Sequence, residues 1–225
     1  MKNKICDAIV LAAGASTRFN SSTPKQFLKI NNKNLIDIAI QNLNSIKEIR
    51  NIYIVLKKNN PYKARKDLKI IIGGATRTRS VFKSLNFVSK TEDVPDNILI
   101  HDAARPCLDV RDLKELFAKG NCSATGLSLG YPLTNALKKV NSRLQVTSNI
   151  KRDNLYMSFT PQIFNFSKLF LAYTDIIKRG QNVDDEIEAM TKSGHKVKLM
   201  KSSPRNIKLT YQDDLEVIKA LMKKI

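Results

Sequence analysis

The 225-residue sequence predicts an α/β fold, with a Rossmann-like, mostly parallel sheet, helices on both of its faces and a protruding β-hairpin arm. Short apolar runs typical of buried strands alternate with segments whose apolar residues recur at helical spacing. This alternation is the order of a parallel sheet covered on both sides. Two glycine-bearing loops also follow predicted strands, where such sheets bind ligands. We therefore expect one domain over residues 1–225, with the arm at about 132–152.

The elements can be placed along the chain from these patterns. Strands are predicted at residues 9–11, 52–56, 70–72, 98–100, 124–129 and 197–200. Helices are predicted at about 35–47, 62–67, 81–88, 110–119, 167–177, 184–194 and 212–224, with Ser167 capping the fifth. Apolar residues around a polar turn at 141–143 predict the hairpin, which has little to bury itself against. Such an arm needs a partner surface.

Composition excludes several classes of protein. No run of about 18 apolar residues is present, which argues against a membrane span, and the absence of a signal-peptide core favours a cytoplasmic protein. The three cysteines and two histidines lack metal-ligand spacing. A formal charge of +19 is typical of a nucleic-acid surface, but the lysines are spread along a chain rich in Lys, Asn and Ile. That spread favours compositional drift, with attraction of anionic nucleotides as a side effect.

The first strand runs into a loop of small residues, Ala12, Ala13, Gly14 and Ala15. Backbone can approach a ligand closely there, and N–H groups at the end of a strand suit phosphate oxygens. Arg18 and Lys25 bring two cations to the same place. The sequence of this loop therefore predicts a site where phosphate groups bind and react.

Two further strand ends carry candidate ligand-binding residues. Gly74 and Ser80 belong to a second glycine-bearing strand-to-helix turn, for which a plain helix-capping loop is the alternative. Asp102 ends the strand at 98–100 and is placed to hold a metal ion or a substrate hydroxyl. Its alternative role is to cap the next helix and pair with Arg105.

These stretches resemble a known family. Leu11-Ala-Ala-Gly-Ala-Ser-Thr-Arg18 with Pro24-Lys25-Gln26 is similar to the signature loop of nucleotidyltransferases that join a nucleoside triphosphate to a sugar or polyol phosphate. The segments Gly73-Gly-Ala-Thr-Arg-Thr-Arg-Ser80, His101-Asp-Ala-Ala-Arg-Pro106 and Asn206-Ile-Lys-Leu-Thr210 narrow the resemblance to the 2-C-methyl-D-erythritol 4-phosphate cytidylyltransferase family. The resemblance implies transfer of CMP from CTP to that acceptor with release of pyrophosphate, and Mg²⁺ carried mainly by the substrate phosphates.

The resemblance also implies roles for individual residues. Arg18 and Lys25 would neutralise charge on the α-phosphoryl group, Gly74 and Ser80 would hold the base or ribose, and Asp102 would lie beside the metal-bound triphosphate and the acceptor. The residues implied in acceptor binding are Asp102, Arg105, Arg152, Thr160, Asp184 and Lys208. Thr160 is expected in a buried turn, and Arg152 and Lys208 would hold the acceptor phosphate. For the acids at 184–186, helix capping is an equal alternative, and for Arg152 a solvated surface hairpin. The arm would reach across a homodimer.

Four positions depart from the family pattern. Ala75, Asn135, Ala136 and Asp184 stand where other residues are usual, and Asn135 and Ala136 replace a carboxylate and a hydroxyl near the acceptor. The acceptor is therefore the open point. The alternatives are a cytidylyltransferase for another polyol phosphate, such as ribitol 5-phosphate, and an inactive basic nucleic-acid-binding module. Nucleic acid is the less favoured partner, because Arg18, Lys25, Asp102 and Lys208 are all intact.

Overall fold

A computed structural model describes residues 4–14, 19, 23–62, 68–121 and 123–223. Its central sheet contains β1 (Cys6–Leu11), β4 (Ile49–Leu56), β5 (Lys69–Ile72), β6 (Asn97–Asp102), β7 (Gly126–Pro132), β10 (Tyr156–Asn165) and β11 (Lys198–Lys201). Two small antiparallel pairs accompany it, β2 (Lys29–Ile30) with β3 (Lys33–Asn34) and β8 (Leu137–Val140) with β9 (Val146–Ile150).

The sheet has the order β11-β7-β10-β6-β1-β4-β5. Strand β1 pairs in parallel with β4 and β6, and β5 and β11 are parallel to their neighbours β4 and β7. Strand β10 runs antiparallel to both β6 and β7. The mostly parallel sheet is confirmed. The carboxyl ends of β1, β4, β5 and β6 therefore meet at one edge, which is where parallel sheets bind ligands.

Helices cover both faces of the sheet, as the alternation of elements predicts. They are α1 (Leu35–Leu43), α2 (Arg77–Val88), α3 (Val110–Asn121), α4 (Phe166–Lys178), α5 (Glu186–Lys192) and α6 (Gln212–Met222). One apolar core packs α1 and α3 against one face, and a second packs α2, α4 and α5 against the other. The side chains of β1 alternate between the two cores, with Val10 in the first and Ile9 in the second.

Helix α6 packs at the ligand-binding edge of the sheet. A smaller apolar cluster joins Ile218 of this helix to Phe19 and Leu209. The carboxylate of Asp214 accepts hydrogen bonds from the N–H groups of Thr210 and Tyr211, each at 2.7 Å, and so caps the helix. The closing segment of the chain is thereby held against the loop after β1.

Two predictions about helices differ from the structure. Helix α1 ends at Leu43 and not at residue 47, because the chain turns at Asn44 and Ser45 while still burying Ile46. Helix α4 is capped by Asn165, whose side chain accepts from the N–H of Lys168, and not by Ser167.

The predicted buried turn at residues 160–162 is wrong. These residues lie inside β10, where a cis Thr160–Pro161 peptide and a bulge between Phe159 and Gln162 interrupt the ladder. A proline has no N–H to give to a ladder, so the strand continues through a bulge. The predicted helix at 62–67 lies outside the described residues except for Tyr62, which is not helical.

The predicted hairpin is present as β8 and β9. Its apolar side chains are exposed, with Leu144 at 81% and Val146 at 60%. The arm thus leaves apolar surface without cover from its own chain. Within the described ranges, no helix has the length and apolar character needed to cross a membrane.

Candidate functional site

A cavity of about 340 Å³ opens at the carboxyl edge of the sheet. The loops after β1, β5 and β6 form its walls together with Lys25 and the segment before α6. Among the predicted site residues, those that line it are Ala12, Ala13, Gly14, Lys25, Gly74, Ser80, Asp102 and Lys208. Ala15 and Arg18 lie outside the described residues.

The loop after β1 is packed closely against the loop after β5. A Cβ atom on Gly73 would lie 2.8 Å from the Cβ of Ala13, which is too close for any residue except glycine. The N–H of Ala12 donates to the carbonyl of Val55 at 2.9 Å, so it belongs to the sheet and is not part of a row of phosphate donors. Ala13 and Gly14, which follow it, line the cavity.

The loop after β5 is braced by Ser80. The N–H of Gly74 donates to Ser80 Oγ at 3.0 Å, and Ser80 Oγ donates to the carbonyl of Thr76 at 2.8 Å. Thr76 caps α2 by accepting from the N–H of Arg79 at 3.1 Å. Thr76 therefore caps α2. Ser80 fixes the conformation of the loop after β5 and lines the cavity.

Lys25 connects the first loop to the end of the chain. It lies in a short 3₁₀ turn, Lys25–Phe27, and its Nζ donates to the carbonyl of Leu209 at 2.7 Å. Leu209 is fixed in turn by an N–H bond to the carbonyl of Ala104 at 2.8 Å. The ammonium group is thus positioned on the wall of the cavity by residues distant in sequence.

Asp102, the last residue of β6, is surrounded by cations. Its Oδ2 accepts from Lys208 Nζ at 2.6 Å. Arg77 lies 3.7 Å from Oδ1, and Arg105 lies 4.0 Å from Oδ2. Burial by itself would raise the pKa of Asp102, but the three cations outweigh burial and hold the pKa well below its usual range. Asp102 does not cap α3, which begins at Val110.

A second cavity of about 220 Å³ adjoins the first. Both cavities are lined by Arg77, Asp102 and Lys208, so this cluster forms the boundary between them. The remaining predicted acceptor residues in the second cavity are Arg105, Thr160 and Asp184. Two adjoining spaces that share an ionic wall can hold two charged substrates next to each other.

The floor of the second cavity is fixed by long-range hydrogen bonds. Thr160 Oγ1 accepts from the N–H of Asp102 at 2.9 Å, and Asn206 Nδ2 donates to the carbonyl of Thr160 at 3.0 Å. Arg105 donates to the carbonyl of Asn206 at 2.7 Å and lies over the ring of Phe159. Burial lowers the pKa of the neighbouring His101 to about 4, so this imidazole is uncharged at neutral pH.

The acids at 184–186 have three different environments. Asp184 is exposed and lines the second cavity. Asp185 caps α5 by accepting from the N–H of Glu188 at 2.9 Å, and it also accepts from Ser158 Oγ at 2.8 Å. Glu186 is fully buried and accepts two bonds from Arg77, at 2.8 and 2.9 Å. Capping is therefore confirmed for Asp185, while Asp184 faces the cavity.

Sequence reasoning missed Arg77, Ser158, Gln162 and Asp185 as cavity residues. Arg77 had two signals, its place within the matched segment Gly73–Ser80 and its position in the first turn of a helix directly after the glycine loop. The other three are brought to the cavity by the pairing of β10 and the start of α5, which no local pattern reveals.

Arg152 is not brought to either cavity of its own chain, as far as the described residues define them. It is exposed beyond β9 and donates to the carbonyl of Thr134. Asn135 and Ala136 are exposed in the same region.

The described residues contain no group of three or more His, Cys, Asp or Glu side chains arranged to hold a metal ion. Asp102 is instead a single carboxylate next to a space lined by cations. Mg²⁺ is commonly held by one or two carboxylates together with substrate phosphates. Oδ1 of Asp102, which lies 3.7 Å from Arg77, fits that arrangement.

Comparison with known proteins agrees with this geometry. The family model described as 2-C-methyl-D-erythritol 4-phosphate cytidylyltransferase matches residues 6–224. A protein of that name from Wigglesworthia glossinidia brevipalpis is 35% identical over 210 residues, covering 91% of this chain and 90% of the relative. One from Dechloromonas aromatica is 32% identical over 224 residues, covering 96% of each.

A solved structure leads to the same family. The crystal structure of 2-C-methyl-D-erythritol 4-phosphate cytidylyltransferase from Francisella tularensis superposes with a TM-score of 0.83 at 27% identity, covering 96% of this chain and 99% of that one. The sheet order, the cavity at the carboxyl edge and the sequence matches over nearly the whole length are thus consistent with one another. The chain belongs to the 2-C-methyl-D-erythritol 4-phosphate cytidylyltransferase family.

Proposed function

We propose that this chain transfers CMP from CTP to 2-C-methyl-D-erythritol 4-phosphate and releases pyrophosphate. The observation that carries the proposal is the boundary cluster of Arg77, Asp102 and Lys208, which lines two adjoining cavities. A transfer between two anionic substrates needs two such spaces with cations where they meet. Family membership supplies the identity of the two substrates.

The reaction needs no protein nucleophile. A phosphate oxygen of the acceptor attacks the α-phosphorus of CTP, a new P–O bond forms, and the bond to pyrophosphate breaks. A phosphate dianion is already nucleophilic at neutral pH, so catalysis depends on alignment of the two substrates and on stabilisation of negative charge.

The first cavity is proposed to bind CTP. Its walls combine close backbone at Ala13 and Gly14 with the cation Lys25, which suits a triphosphate. Lys25 and Arg18 would stabilise charge on the α-phosphoryl oxygens, and the loop of Gly74 and Ser80 would contact the base or ribose. Mg²⁺ bound to the triphosphate and to Asp102 would supply further charge neutralisation.

The second cavity is proposed to bind the acceptor. Lys208 and Arg105 offer cations to its phosphate, and Thr160 and Asp184 offer polar groups to its hydroxyls. Arg152 is exposed outside the cavities of its own chain. We propose that the arm carries it to the second cavity of a partner subunit, in a homodimer that also covers the exposed Leu144 and Val146.

Mixed subunits test this arrangement. Lys25→Ala and Arg152→Ala chains are unfolded together and refolded at equal amounts, and the mixture is assayed well below the Michaelis constant of the acceptor, where each variant alone keeps about a tenth of native activity or less. If Arg152 acts across the interface, each mixed dimer has one intact site, and about a quarter of native activity returns by random pairing. No recovery would mean that Arg152 and Lys25 of the same chain act together, which contradicts the shared arm. A monomer by light scattering would contradict it as well.

Pyrophosphate release tests the reaction itself. The chain is incubated with CTP and Mg²⁺ and with methylerythritol 4-phosphate, erythritol 4-phosphate or ribitol 5-phosphate. We expect a clear preference for methylerythritol 4-phosphate, which would also show that Asn135 and Ala136 are tolerated. Release with ribitol 5-phosphate alone would contradict the proposed acceptor. No release with any acceptor, together with heparin binding lost at modest salt, would favour a nucleic-acid-binding module.

A further inference from the structure

Asp102 is bound by cations of very different mobility. Lys208 Nζ makes the short bond, 2.6 Å, but its side chain is 35% exposed on a flexible stem and lines both cavities. An ammonium group in that position meets any phosphate that enters either space. It can exchange Asp102 for a substrate oxygen by a small rotation of its stem.

Arg77 is held firmly by contrast. Two parallel bonds of 2.8 and 2.9 Å tie its guanidinium to Glu186, which is fully buried. Glu186 Oε1 also accepts from the hydroxyl of Tyr173 at 3.1 Å, and Tyr173 is fully buried in the second apolar core. Bidentate pairing of this kind fixes the plane and direction of a guanidinium group.

A continuous chain of polar contacts therefore runs from the core to the boundary between the cavities. It passes from Tyr173 through Glu186 and Arg77 to Oδ1 of Asp102, at 3.7 Å. Glu186 begins α5 and Arg77 begins α2, so the chain also ties together the first turns of two helices, and Asp185, which caps α5, lines the second cavity.

We propose that Arg77 is the positioning residue for Asp102, fixed by Glu186 and Tyr173, while Lys208 is the exchangeable partner that leaves Asp102 when substrate phosphate arrives. This inference rests on the proposed function, since it assigns Arg77 a part in the same reaction. When Lys208 turns to substrate, Asp102 loses its short bond. Arg77 then keeps the carboxylate directed at the boundary.

If Arg77 acts through Asp102, the effects of substituting the two residues on kcat/KM are not additive. We expect Arg77→Met to lower kcat/KM about thirtyfold in the native background but less than about threefold in an Asp102→Asn background. Arg77→Lys, which keeps a charge but cannot make two parallel bonds, should fall between the native chain and Arg77→Met. Arg79→Met is the matched control, because it removes an exposed cation from the same helix without touching Glu186 or Asp102.

Equal losses in both backgrounds would overturn the proposal, because Arg77 would then contact substrate directly or serve only to hold α5. Arg77→Met leaves Glu186 buried without its cation, and such a group is strongly destabilising. If that variant fails to fold, the cycle is run with Arg77→Lys, where a loss undiminished by Asp102→Asn contradicts the proposal.

The native chain distinguishes this inference from the proposed function. Native turnover with methylerythritol 4-phosphate reports on the function, and the cycle reports on Arg77. Should no acceptor react, the native chain, Arg77→Met, Asp102→Asn and the double variant are compared by calorimetry for their dissociation constants with CTP and Mg²⁺. The inference is supported if Arg77→Met weakens CTP binding in the native background and this effect is at least about fivefold smaller in the Asp102→Asn background. Equal effects in the two backgrounds overturn it.

Discussion

Two buried aspartates lie at opposite ends of the central sheet, and their surroundings differ. Asp7, near the start of β1, is fully buried. It accepts two bonds of 3.0 Å from Arg50 and one of 3.2 Å from the N–H of Asn51. Among the described residues, the carboxylate of Asp102, at the end of β6, has one close side-chain partner, Lys208, and two more cations at 3.7 and 4.0 Å.

The difference separates a structural carboxylate from a functional one. Asp7 has its charge compensated and its oxygens occupied by groups in good geometry, so it stabilises the fold and has little left to offer a ligand. Asp102 lies on the wall of a cavity among more positive charge than it needs. Excess positive charge facing a cavity attracts anionic substrates. A loosely held cation such as Lys208 can leave Asp102 and pair with the substrate.

The largest effect is expected at the phosphate-binding cations. Lys25→Ala or Arg18→Ala should lower turnover at least about a hundredfold, equivalent to roughly 3 kcal/mol of transition-state stabilisation. Steady-state pyrophosphate release measures this. Lys29→Ala removes an exposed lysine four residues away and serves as the control. Near-native turnover of Lys25→Ala would show that the reaction does not take place at the carboxyl edge of the sheet.

At the opposite end of the sheet we expect a loss of stability instead of activity. Arg50→Met leaves Asp7 buried without its cation, which should lower the free energy of unfolding by about 3 kcal/mol. Urea denaturation measures the change, and turnover per folded molecule should stay native. Arg179→Met breaks an exposed pair with Asp175 and should cost less than about 0.5 kcal/mol. An Arg50→Met chain of native stability would show that the bonds from Asn51 are enough for Asp7 and that it needs no cation.

The arm is expected to affect the acceptor selectively. Arg152→Ala should raise the Michaelis constant of the acceptor about tenfold, or roughly 1.4 kcal/mol, and change that of CTP much less. Initial rates with each substrate varied in turn give both constants. Arg143→Ala, at the turn of the hairpin, is the control. A larger effect on CTP would mean that the acceptor has been assigned to the wrong cavity.

The smallest effect concerns the overall charge of the protein. With a formal charge of +19, the protein should attract anionic substrates and so raise kcat/KM. Added salt screens this attraction, with a screening length of about 10 Å at 0.1 M, and should lower kcat/KM a few-fold. The measurement is kcat/KM for CTP over a potassium chloride series at constant Mg²⁺. A flat response would confine the useful charge to the cavity walls.

Local sequence patterns were sufficient for most of the first cavity and for six of the seven described strands of the central sheet, but they missed β10. Buried strands and the small-residue loops that follow them are contiguous in sequence, so Ala13, Gly14 and Gly74 could be placed from spacing and resemblance. Family resemblance also directed attention to Asp102 and Lys208, which are 106 residues apart and form a 2.6 Å bond.

The second cavity could be predicted only in part, for a physical reason. Its walls come from the antiparallel strand β10 and the start of α5, whose relative placement depends on the whole sheet. The family resemblance implies a turn at Thr160–Pro161, and local propensity, which opposes proline in a strand, gives no sign of the bulged strand that the structure has there. The link from Arg77 to Glu186 spans 109 residues and has no local signal at all.

One pair of variants tests the central contrast most directly, namely Asp102→Asn and Asp7→Asn, each assayed for pyrophosphate release and thermal unfolding on the same sample. We expect Asp102→Asn to lose at least about a hundredfold in turnover, with a smaller fall in Tm than Asp7→Asn because Lys208 is partly exposed and Arg77 keeps its pair with Glu186. Asp7→Asn should lower Tm by roughly 8 °C while each folded molecule keeps native turnover. An active Asp102→Asn enzyme, or an inactive but stable Asp7→Asn enzyme, would contradict the account.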